Sequence, residues 1–499
     1  MILIDISNVI TVTNLVFTKE FLKDLNKEFS IPNPKIEVLK RLGKRAYGVP
    51  KLIFLYKYLG SNIIFNRGDF KKVITLVNSH RKDDITSTRI STAGITQKFV
   101  WNQDFVLRDY QNEALELANK SKFGGMIIVP AGGGKTILGL KIIQELGLKA
   151  LWITHTKDLL YQSAENCEKT LGFYPGIIGD GKQIIKAVTM ATVQTLSRRP
   201  NLLKELKKEI GVIIVDEAHH VPTNYFTSVI QEFNSKYIFG LTATPDRKDK
   251  LERLMYSVVG EKLIQINRSH LYNTNKLIIP KLVPIYTQFS GDIMQISNES
   301  VDLGGDGSGY QNLIDALIID EERLNLIIET IIKNYKNNRN LVLVEWIKYA
   351  EKIIEKLKLR LPAVRIEFIQ GSVKKDDRSK LLEDFRQNRL NILFATKLAR
   401  EGLDLPNMTQ LFLTTPKNGD SDNRTADGSA LEQEIGRLMR PDPESKNKNA
   451  TVFDFVDYEC GILKNQWYTR RRTYKRLGIA CSNKESSGKS YIQELFPDL

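Results

Sequence analysis

Short apolar segments alternate with amphipathic stretches from about residue 107 to residue 455, and this alternation constrains the fold most strongly. Uninterrupted apolar segments are typical of strands in parallel sheets that helices bury on both faces. The segments form two series, so we predict two tandem α/β lobes. The predicted strands are 125–130, 150–154, 211–216 and 237–241 in the first lobe, and 341–344, 365–369, 392–395, 410–413 and 450–454 in the second.

Glycine-rich and polar stretches set the predicted domain boundaries. Four closely spaced glycines between Ser290 and Tyr310 indicate a mobile connector. The first hundred residues have a separate alternation of strand-like and helical patterns, which predicts a small α+β accessory domain. The C-terminal segment 468–476 is predicted to be either a basic helix or a loose arm. In chain order we predict an accessory domain (1–100), a first lobe (101–290), a flexible connector (291–320), a second lobe (321–456) and a basic tail (457–499).

The chain of 499 residues has a formal net charge of +15, which favours a polyanionic partner. Residues 1–100 contain 17 Lys and Arg against 8 Asp and Glu, so most of the excess positive charge of the chain lies in the accessory domain. The three cysteines are too few and too scattered for a disulfide framework or a four-cysteine zinc site. We find no apolar run long enough to span a bilayer and no signal peptide, and we expect a cytoplasmic protein.

A glycine-rich turn, Pro130-Ala-Gly-Gly-Gly-Lys-Thr136, follows one predicted strand and precedes a predicted helix. Backbone N–H groups of such a turn close around phosphates, and the helix N-terminus adds positive potential. We expect ATP to bind Gly132, Gly133 and Gly134. Lys135 would reach the β- and γ-phosphates, and Thr136 would bind Mg²⁺.

Adjacent carboxylates, Asp216 and Glu217, end another buried strand about 80 residues later. A strand end near a phosphate loop suits Asp216 as the second Mg²⁺ ligand. Glu217 is then placed as the base that orients the attacking water. Together the two motifs predict nucleotide hydrolysis.

From Leu107 to Phe455 the sequence resembles a superfamily-two helicase of the DEAH-box kind, and seven segments match in order. Besides the two nucleotide motifs, these are 107–111, 154–162 with 189–194, 241–245, 395–404 and 433–440. The resemblance implies RecA-like lobes and an ATP-driven nucleic-acid motor. It also implies adenine recognition by the segment holding Arg108 and Gln111, and nucleotide contacts from Gly402, Asp404 and Gln433.

Arg437 and Arg440 lie in segment 433–440, which resembles the sixth motif of the family. Residues three apart on a helix share one face, so both guanidinium groups are predicted to point at the γ-phosphate. Charge on the transferring phosphoryl group would then be stabilised only when the lobes close. We therefore expect hydrolysis to depend on closure.

Hydroxyls, amides and helix N-termini position a nucleic-acid backbone without reading its sequence. Such groups follow the predicted strands of both lobes. We assign contacts to Thr154, Thr192 and Gln194 in the first lobe, and to Gly371 and Thr396 in the second.

In the accessory domain, basic and aromatic residues interleave at 41–50 and 65–72, which predicts a surface for DNA phosphates that includes Arg45, Phe65 and Arg67. A small basic domain before this type of core is similar to phage branch-migration helicases of the UvsW kind and to XPB-type repair helicases. This resemblance implies remodelling of forked or branched DNA during recombination or repair. For a phage-encoded protein the compartment would be the host cytoplasm.

Two other readings share the same core motifs. An RNA helicase would differ in its partner, and the motor of a restriction or remodelling complex would translocate on duplex without unwinding it. A third reading, a binding protein with a decayed ATP site, is disfavoured by the intact Lys135, Asp216, Glu217, Arg437 and Arg440. Oligomeric state is left open, with a monomer compatible with the sequence.

Overall fold

The computed structural model describes residues 1–41, 43–81, 86–221, 224–243, 251–273, 277–291, 308–373, 375–396, 405, 407–417, 430–442 and 448–481. The chain forms two compact units. The first unit comprises Met1–Pro130 and Gly134–Asn267, and the second comprises Ala131–Gly133 and Arg268–Leu499.

The first unit begins with an α+β domain, here called the N-terminal domain. Its five-stranded sheet has the order β5-β6-β2-β1-β7, with β1 and β7 parallel and the other neighbours antiparallel. Alternate residues of β1 are buried against the helices, as a sheet covered on one face requires. The elements are β1 (Ile2–Ile6), β2 (Val9–Thr13), α1 (Lys19–Glu28), β3 (Ser30–Pro32), α2 (Pro34–Arg41), β4 (Leu52–Phe54), β5 (Tyr56–Leu59), β6 (Asn62–Asn66), α3 (Phe70–His80) and β7 (Thr86–Ile90).

The rest of the first unit is a lobe with an eight-stranded sheet in the order β11-β10-β12-β9-β13-β14-β8-β15, parallel except between β10 and β11. Its central strands are buried along their whole length, which explains their uninterrupted apolar sequence. The elements are α4 (Asp109–Lys120), β8 (Gly124–Ile128), α5 (Lys135–Leu146), β9 (Ala150–Thr154), α6 (Lys157–Leu171), β10 (Gly176–Gly179), β11 (Lys182–Ile184), β12 (Val188–Thr192), α7 (Val193–Ser197), α8 (Pro200–Leu206), β13 (Val212–Asp216), α9 (Asn224–Gln231), β14 (Tyr237–Thr242), α10 (Glu252–Val259) and β15 (Lys262–Gln265).

A buried polar seam joins the N-terminal domain to this lobe. Arg67 donates hydrogen bonds to the carbonyl oxygens of Ser7 and Ser235, and Asp69 pairs with Arg253 at 2.6 Å. Ser257 donates to Asp69 as well. Gly68 is required at the seam, because a Cβ there would overlap the carbonyl oxygens of residues 256 and 257. The domain and the lobe are thereby fixed to each other.

The second unit contains a six-stranded parallel sheet in the order β16-β21-β20-β17-β19-β18. Helices cover an apolar core that includes Leu324, Ile327 and Phe394. The elements are α11 (Arg268–Asn273), β16 (Lys281–Tyr286), α12 (Ser308–Ile319), α13 (Glu321–Asn334), β17 (Asn340–Leu343), α14 (Ile347–Arg360), β18 (Ile366–Ile369), α15 (Lys375–Arg386), β19 (Ile392–Ala395), β20 (Gln410–Leu413), α16 (Ala430–Leu438), β21 (Thr451–Val456) and α17 (Gly461–Arg476).

The second lobe differs from the sequence prediction at both ends. β16 pairs with β21, so the second sheet already includes residues that were assigned to the first lobe. Helix α12 occupies much of the predicted connector, and its Leu313 and Leu317 are buried in the core; residues 292–307 lie outside the described part. The predicted tail contains α17, which docks through an Arg470–Asp454 ion pair of 2.8 Å. The basic helix, rather than the loose arm, is therefore the correct alternative for residues 468–476.

Among the described residues, we find no helix with both the length and the apolar character needed to cross a membrane.

Candidate functional site

The glycine-rich turn lies between the end of β8 and the start of α5. Gly132 and Gly134 have φ angles of 81° and 77°, in the left-handed region that favours glycine. A Cβ on Gly134 would also lie 2.6 Å from Nε2 of Gln111. Gly133 lies between them, and the free N–H groups at the start of α5 follow directly. The backbone therefore has the form of a phosphate-binding loop.

Lys135 and Glu217 form an ion pair across this site. Lys135 Nζ lies 2.9 Å from Glu217 Oε1, and both side chains are 13% exposed. The pair joins the first residue of α5 to the residue that follows β13. Glu217 has a φ of 48°, which is strained for a residue other than glycine. Such strain clusters at functional sites.

The carboxylates of Asp216 and Glu217 differ in their electrostatics. Burial and the charge of Glu217 raise the pKa of Asp216 to about 7. Burial also raises the pKa of Glu217, but Lys135 and His219 outweigh that effect and bring the pKa down to about 2. The buried oxygens of Asp216 beside a second negative charge fit Mg²⁺, which prefers carboxylate ligands. Asp216 and Thr136 would hold that ion, which would neutralise negative charge on the phosphates.

Three histidines extend from this site. His219 is buried, and its Nδ1 shares a hydrogen bond of 3.0 Å with Oγ1 of Thr242, which lies in the matched segment 241–245. The ring centroid of His220 lies 4.4 Å from that of His219 and 4.0 Å from that of His155. Gln194 donates to the carbonyl oxygen of His155 at 2.9 Å. A chain of contacts therefore links the carboxylates to a predicted nucleic-acid contact.

Our sequence reasoning assigned no role to His155 or His220. The only signal for them was their position, one directly after Thr154 and the other directly after His219. The contact between their rings depends on the adjacent placement of β9 and β13 in the sheet, which sequence spacing does not reveal.

The predicted adenine-recognition segment packs against the phosphate loop. Gln111 accepts a hydrogen bond from the Arg108 backbone at 2.9 Å and donates one to the Gly134 carbonyl oxygen at 3.2 Å. The Arg108 guanidinium donates to the Tyr110 hydroxyl at 2.9 Å. The structure brings these residues to the loop, and their contact with adenine stays a prediction.

The predicted nucleic-acid contacts of the two lobes have different environments. Thr154 is fully buried, and its hydroxyl donates to the Thr156 carbonyl oxygen at 3.2 Å, so its predicted phosphate contact is wrong for this structure. Thr192 shares a hydrogen bond with Thr195 at 2.8 Å and is 6% exposed. Gln194 and Gly371 are exposed, whereas Thr396 is buried at the end of β19. Exposure therefore supports Gln194 and Gly371 most directly.

Two of the three predicted contacts in the N-terminal domain are wrong. Phe65 is 2% exposed and packs against Phe29 in the core, so it cannot stack on a base. Arg67 is 3% exposed because it belongs to the seam, and burial lowers its pKa to about 9. Arg45 is exposed, and its contact with DNA stays a prediction.

In the second unit, α16 contains most of the matched segment 433–440. Arg437 lies in the helix, but Arg440 lies two residues beyond its end, so the two do not share a helix face as predicted. A backbone hydrogen bond of 3.3 Å from Arg440 to Arg437 keeps them adjacent through a turn instead. Gln433 is partly exposed on α16. The predicted contacts Gly402 and Asp404 lie outside the described residues.

Ion pairs hold α16 in place within the second unit. Glu432 is buried and pairs with Arg268 and with Arg476, the latter at 2.9 Å. Glu434 pairs with Lys417. Because these partners come from three different segments, the position of Arg437 depends on the packing of the whole lobe.

Comparisons with known proteins agree with this arrangement. The family model "Type III restriction enzyme, res subunit" matches residues 104–247, and "Helicase conserved C-terminal domain" matches residues 322–442. The DNA 3'-5' translocase XPB2 of Sulfurisphaera tokodaii is 28% identical over 70% of this chain and 81% of that protein. The putative DNA 3'-5' helicase Rad25 of Haloarcula marismortui is also 28% identical, over 70% of this chain but 54% of that protein.

Among solved structures, Dbp5 of S. cerevisiae bound to RNA and ADP BeF3 has a TM-score of 0.52 and 15% identity, over 78% of this chain and 93% of that chain. This likeness concerns the fold alone, and it agrees with two RecA-like lobes. With the two family matches, the chain belongs to the superfamily-two helicases. It is a homologue of the XPB-type helicases and an ATP-dependent helicase enzyme. The DEAH-box subtype stays a prediction.

Proposed function

We propose that this helicase is a DNA translocase that remodels forked or branched DNA by branch migration, fork regression or unwinding. The observation that carries the proposal is the buried seam between the N-terminal domain and the first lobe. Since Arg67 and Asp69 fix the basic domain to the lobe that contains Lys135 and Glu217, a DNA structure held by that domain would move with the ATP site. The relative named a DNA 3'-5' translocase supports DNA as the track.

In the proposed cycle, the γ-phosphate of ATP replaces Glu217 as the partner of Lys135. Glu217 is then free to orient the attacking water. Mg²⁺ supplies charge neutralisation when it is bound. Arg437 and Arg440 are proposed to stabilise the transferring phosphoryl group. The contacts from His219 to Thr242 and from His220 to His155 are proposed to transmit the change to Gln194.

A second candidate is a motor that tracks duplex DNA without separating its strands. The family description "Type III restriction enzyme, res subunit" favours it. An RNA helicase remains the third reading, and it differs only in the polynucleotide that stimulates ATP turnover.

The test is a branch-migration assay on a mobile four-way junction with labelled arms, beside displacement of a third strand from duplex. We expect wild-type protein with ATP to branch-migrate the junction into two separate duplexes. Glu217→Gln should fail on both substrates. Arg45→Glu should slow junction processing several-fold, because it reverses one charge on the proposed DNA surface. Lys23→Glu is the matched control on α1 of the same domain.

The outcomes separate the three candidates. Third-strand displacement without junction processing would favour the duplex motor. ATPase stimulation by structured RNA alone, with no response to any DNA, would favour the RNA helicase. Either result would refute DNA remodelling.

A further inference from the structure

An aromatic run of Phe54, Tyr56 and Tyr58, exposed at Phe54 and Tyr58, lies on β4 and β5 of the N-terminal domain. Phe54 is 51% exposed and Tyr58 is 50% exposed. The ring centroids of Phe54 and Tyr56 are 5.5 Å apart, and those of Tyr56 and Tyr58 are also 5.5 Å apart. Half-exposed aromatic rings in a continuous row are an unusual surface, since buried aromatics supply most of the packing energy of a small domain.

The position of β5 at the sheet edge explains why Tyr58 is exposed although it lies on the core face. Tyr56 is opposite Phe65 and Tyr58 is opposite Ile63, and both partners are core residues. The two tyrosines therefore lie on the core face of the sheet. However, β5 is the edge strand, and Tyr58 remains half exposed there. The aromatic run therefore begins in the core of the domain and ends at its surface.

The rings are held in position from one side. Phe17 contacts Tyr58 edge-on, with ring centroids 5.9 Å apart, and stacks on the buried Phe21. The Tyr56 hydroxyl donates to Asn26 Oδ1 at 2.9 Å. A ring fixed in advance loses little side-chain entropy when a ligand stacks on it, so the run is prepared for binding.

The surrounding sequence is strongly basic. Residues 38–68 contain no Asp or Glu, but they contain seven cationic residues, Lys40, Arg41, Lys44, Arg45, Lys51, Lys57 and Arg67, of which Arg67 is buried in the seam. Lys44, Lys51 and Lys57 are exposed. The segment that contains the run therefore has a positive charge, which complements a polyanion rather than an apolar protein partner.

We propose that Phe54, Tyr56 and Tyr58 form a stacking site for the unpaired bases of single-stranded nucleic acid. Every base has an aromatic face, so such a site holds a strand without reading its sequence, while nearby cations hold the phosphates. The inference rests on the proposed function and deepens it, because it assigns the unpaired strand of a forked substrate to the N-terminal domain.

The test measures binding by the full-length protein without ATP. Labelled oligothymidylate, oligouridylate and a blunt duplex of the same length serve as probes, and fluorescence anisotropy gives the Kd of each. We expect Tyr58→Ala and Phe54→Ala each to weaken single-strand binding on the order of tenfold and duplex binding by less than about twofold. Tyr58→Phe keeps the ring and should bind as wild type does.

Leu59→Ala is the matched control, because Leu59 is 63% exposed on the same strand and opposite Asn62 rather than a core residue. It should leave all three Kd values unchanged. Thermal unfolding of each variant checks that the domain is intact. In addition, 5-iodouracil in the oligonucleotide should photo-crosslink to the aromatic run in wild-type protein, and crosslinking should fall in Tyr58→Ala.

Unchanged single-strand affinity in a folded Tyr58→Ala protein would overturn the proposal and leave a protein partner as the occupant. Equal weakening of single-strand and duplex binding would also overturn it, since stacking requires unpaired bases. A change with only one of the two single-stranded probes would support the site and identify DNA or RNA as its ligand. Failure of the proposed function is a separate result: wild-type protein would then not process the junction, whatever these Kd values are.

Discussion

The ion pair Lys135–Glu217 in the first unit and the ion pair Arg323–Asp457 in the second differ in how many hydrogen bonds join their charged groups and in how deeply they are buried. Lys135 and Glu217 share one contact of 2.9 Å, and both side chains keep some exposure. Arg323 binds both carboxylate oxygens of Asp457, at 2.6 and 3.1 Å, and neither side chain is exposed beyond 1%. Arg323 also donates to the Tyr349 hydroxyl at 2.7 Å.

The difference indicates which pair can open. A charge removed from water needs a geometrically complete set of partners, and the Arg323 guanidinium has one. Although burial lowers the pKa of Arg323, Asp457 and Tyr349 raise it above its ordinary value. The Lys135 ammonium is a flexible point charge with donors left over, so phosphate oxygens can take the place of Glu217. The Arg323–Asp457 pair, here called the saturated pair, therefore has a complete set of hydrogen-bond partners. The Lys135–Glu217 pair, here called the functional pair because of its proposed role, does not.

Breaking the saturated pair should have the largest effect. Arg323→Met leaves Asp457 buried without its counter-ion, and we expect the free energy of unfolding of the second unit to fall by about 3–5 kcal/mol. Denaturant unfolding of the full-length protein would measure this loss. The double variant Arg323→Met with Asp457→Leu should recover much of the stability, because no lone charge remains.

Arg360→Met is the control for this prediction. Arg360 pairs with Glu329 but is 53% exposed, and we expect no measurable change in unfolding. A single variant at Arg323 that unfolds like wild type would mean that the pair contributes nothing to stability and that the comparison is wrong.

Breaking the functional pair should act on turnover and leave the fold intact. Lys135→Ala removes the charge that we propose meets the phosphates, and we expect DNA-stimulated ATP hydrolysis to fall by about 10²–10³-fold, to background. DNA binding should persist, and the unfolding midpoint should change little. Coupled ATPase assays and anisotropy measure the two quantities.

Lys141→Ala changes a lysine on the same helix that pairs with Glu145 at 2.8 Å, and it should leave turnover unchanged. Loss of DNA binding together with turnover in Lys135→Ala would show that Lys135 supports the fold rather than the phosphates.

The same contrast explains what could be predicted from sequence. Gly134 and Lys135 are adjacent in one local motif, and Asp216 ends a strand whose apolar pattern is clear, so the loop and the carboxylates beside it were predictable, and their contact with ATP stays a prediction. Arg323 and Asp457 are 134 residues apart, and only the sheet order brings them together. Sequence patterns therefore identify local chemistry more readily than distant pairing.

Errors arose where burial decides the role of a residue. Phe65 and Arg67 have the composition of a DNA surface, but the first belongs to the core of the N-terminal domain and the second to the seam. β16 was assigned to the wrong lobe because its partner, β21, follows it by about 170 residues. None of these contacts leaves a periodic signal in the sequence.

The smallest effect is expected at Lys448, a buried cation whose charge is less well compensated than that of Arg323. It is 7% exposed, and its Nζ donates to the carbonyl oxygen of Arg440 at 2.8 Å. Burial lowers its pKa to about 7, although the charge of Asp442 opposes that effect. Between pH 7 and the ordinary lysine value of about 10.4, the unfolded chain binds more protons than the folded chain, so stability should rise with pH.

The free energy of unfolding should rise by at most about 1.4 kcal/mol per pH unit. This dependence should vanish below pH 7, where Lys448 is protonated in both the folded and the unfolded chain. Denaturant unfolding at pH 7, 8 and 9 measures it, and Lys448→Met should flatten the dependence relative to wild type. Lys348→Met, an exposed residue on α14, should keep the wild-type slope. An identical slope in Lys448→Met would show that the lysine stays charged in the fold, and that its partners compensate the charge as fully as Asp457 compensates Arg323.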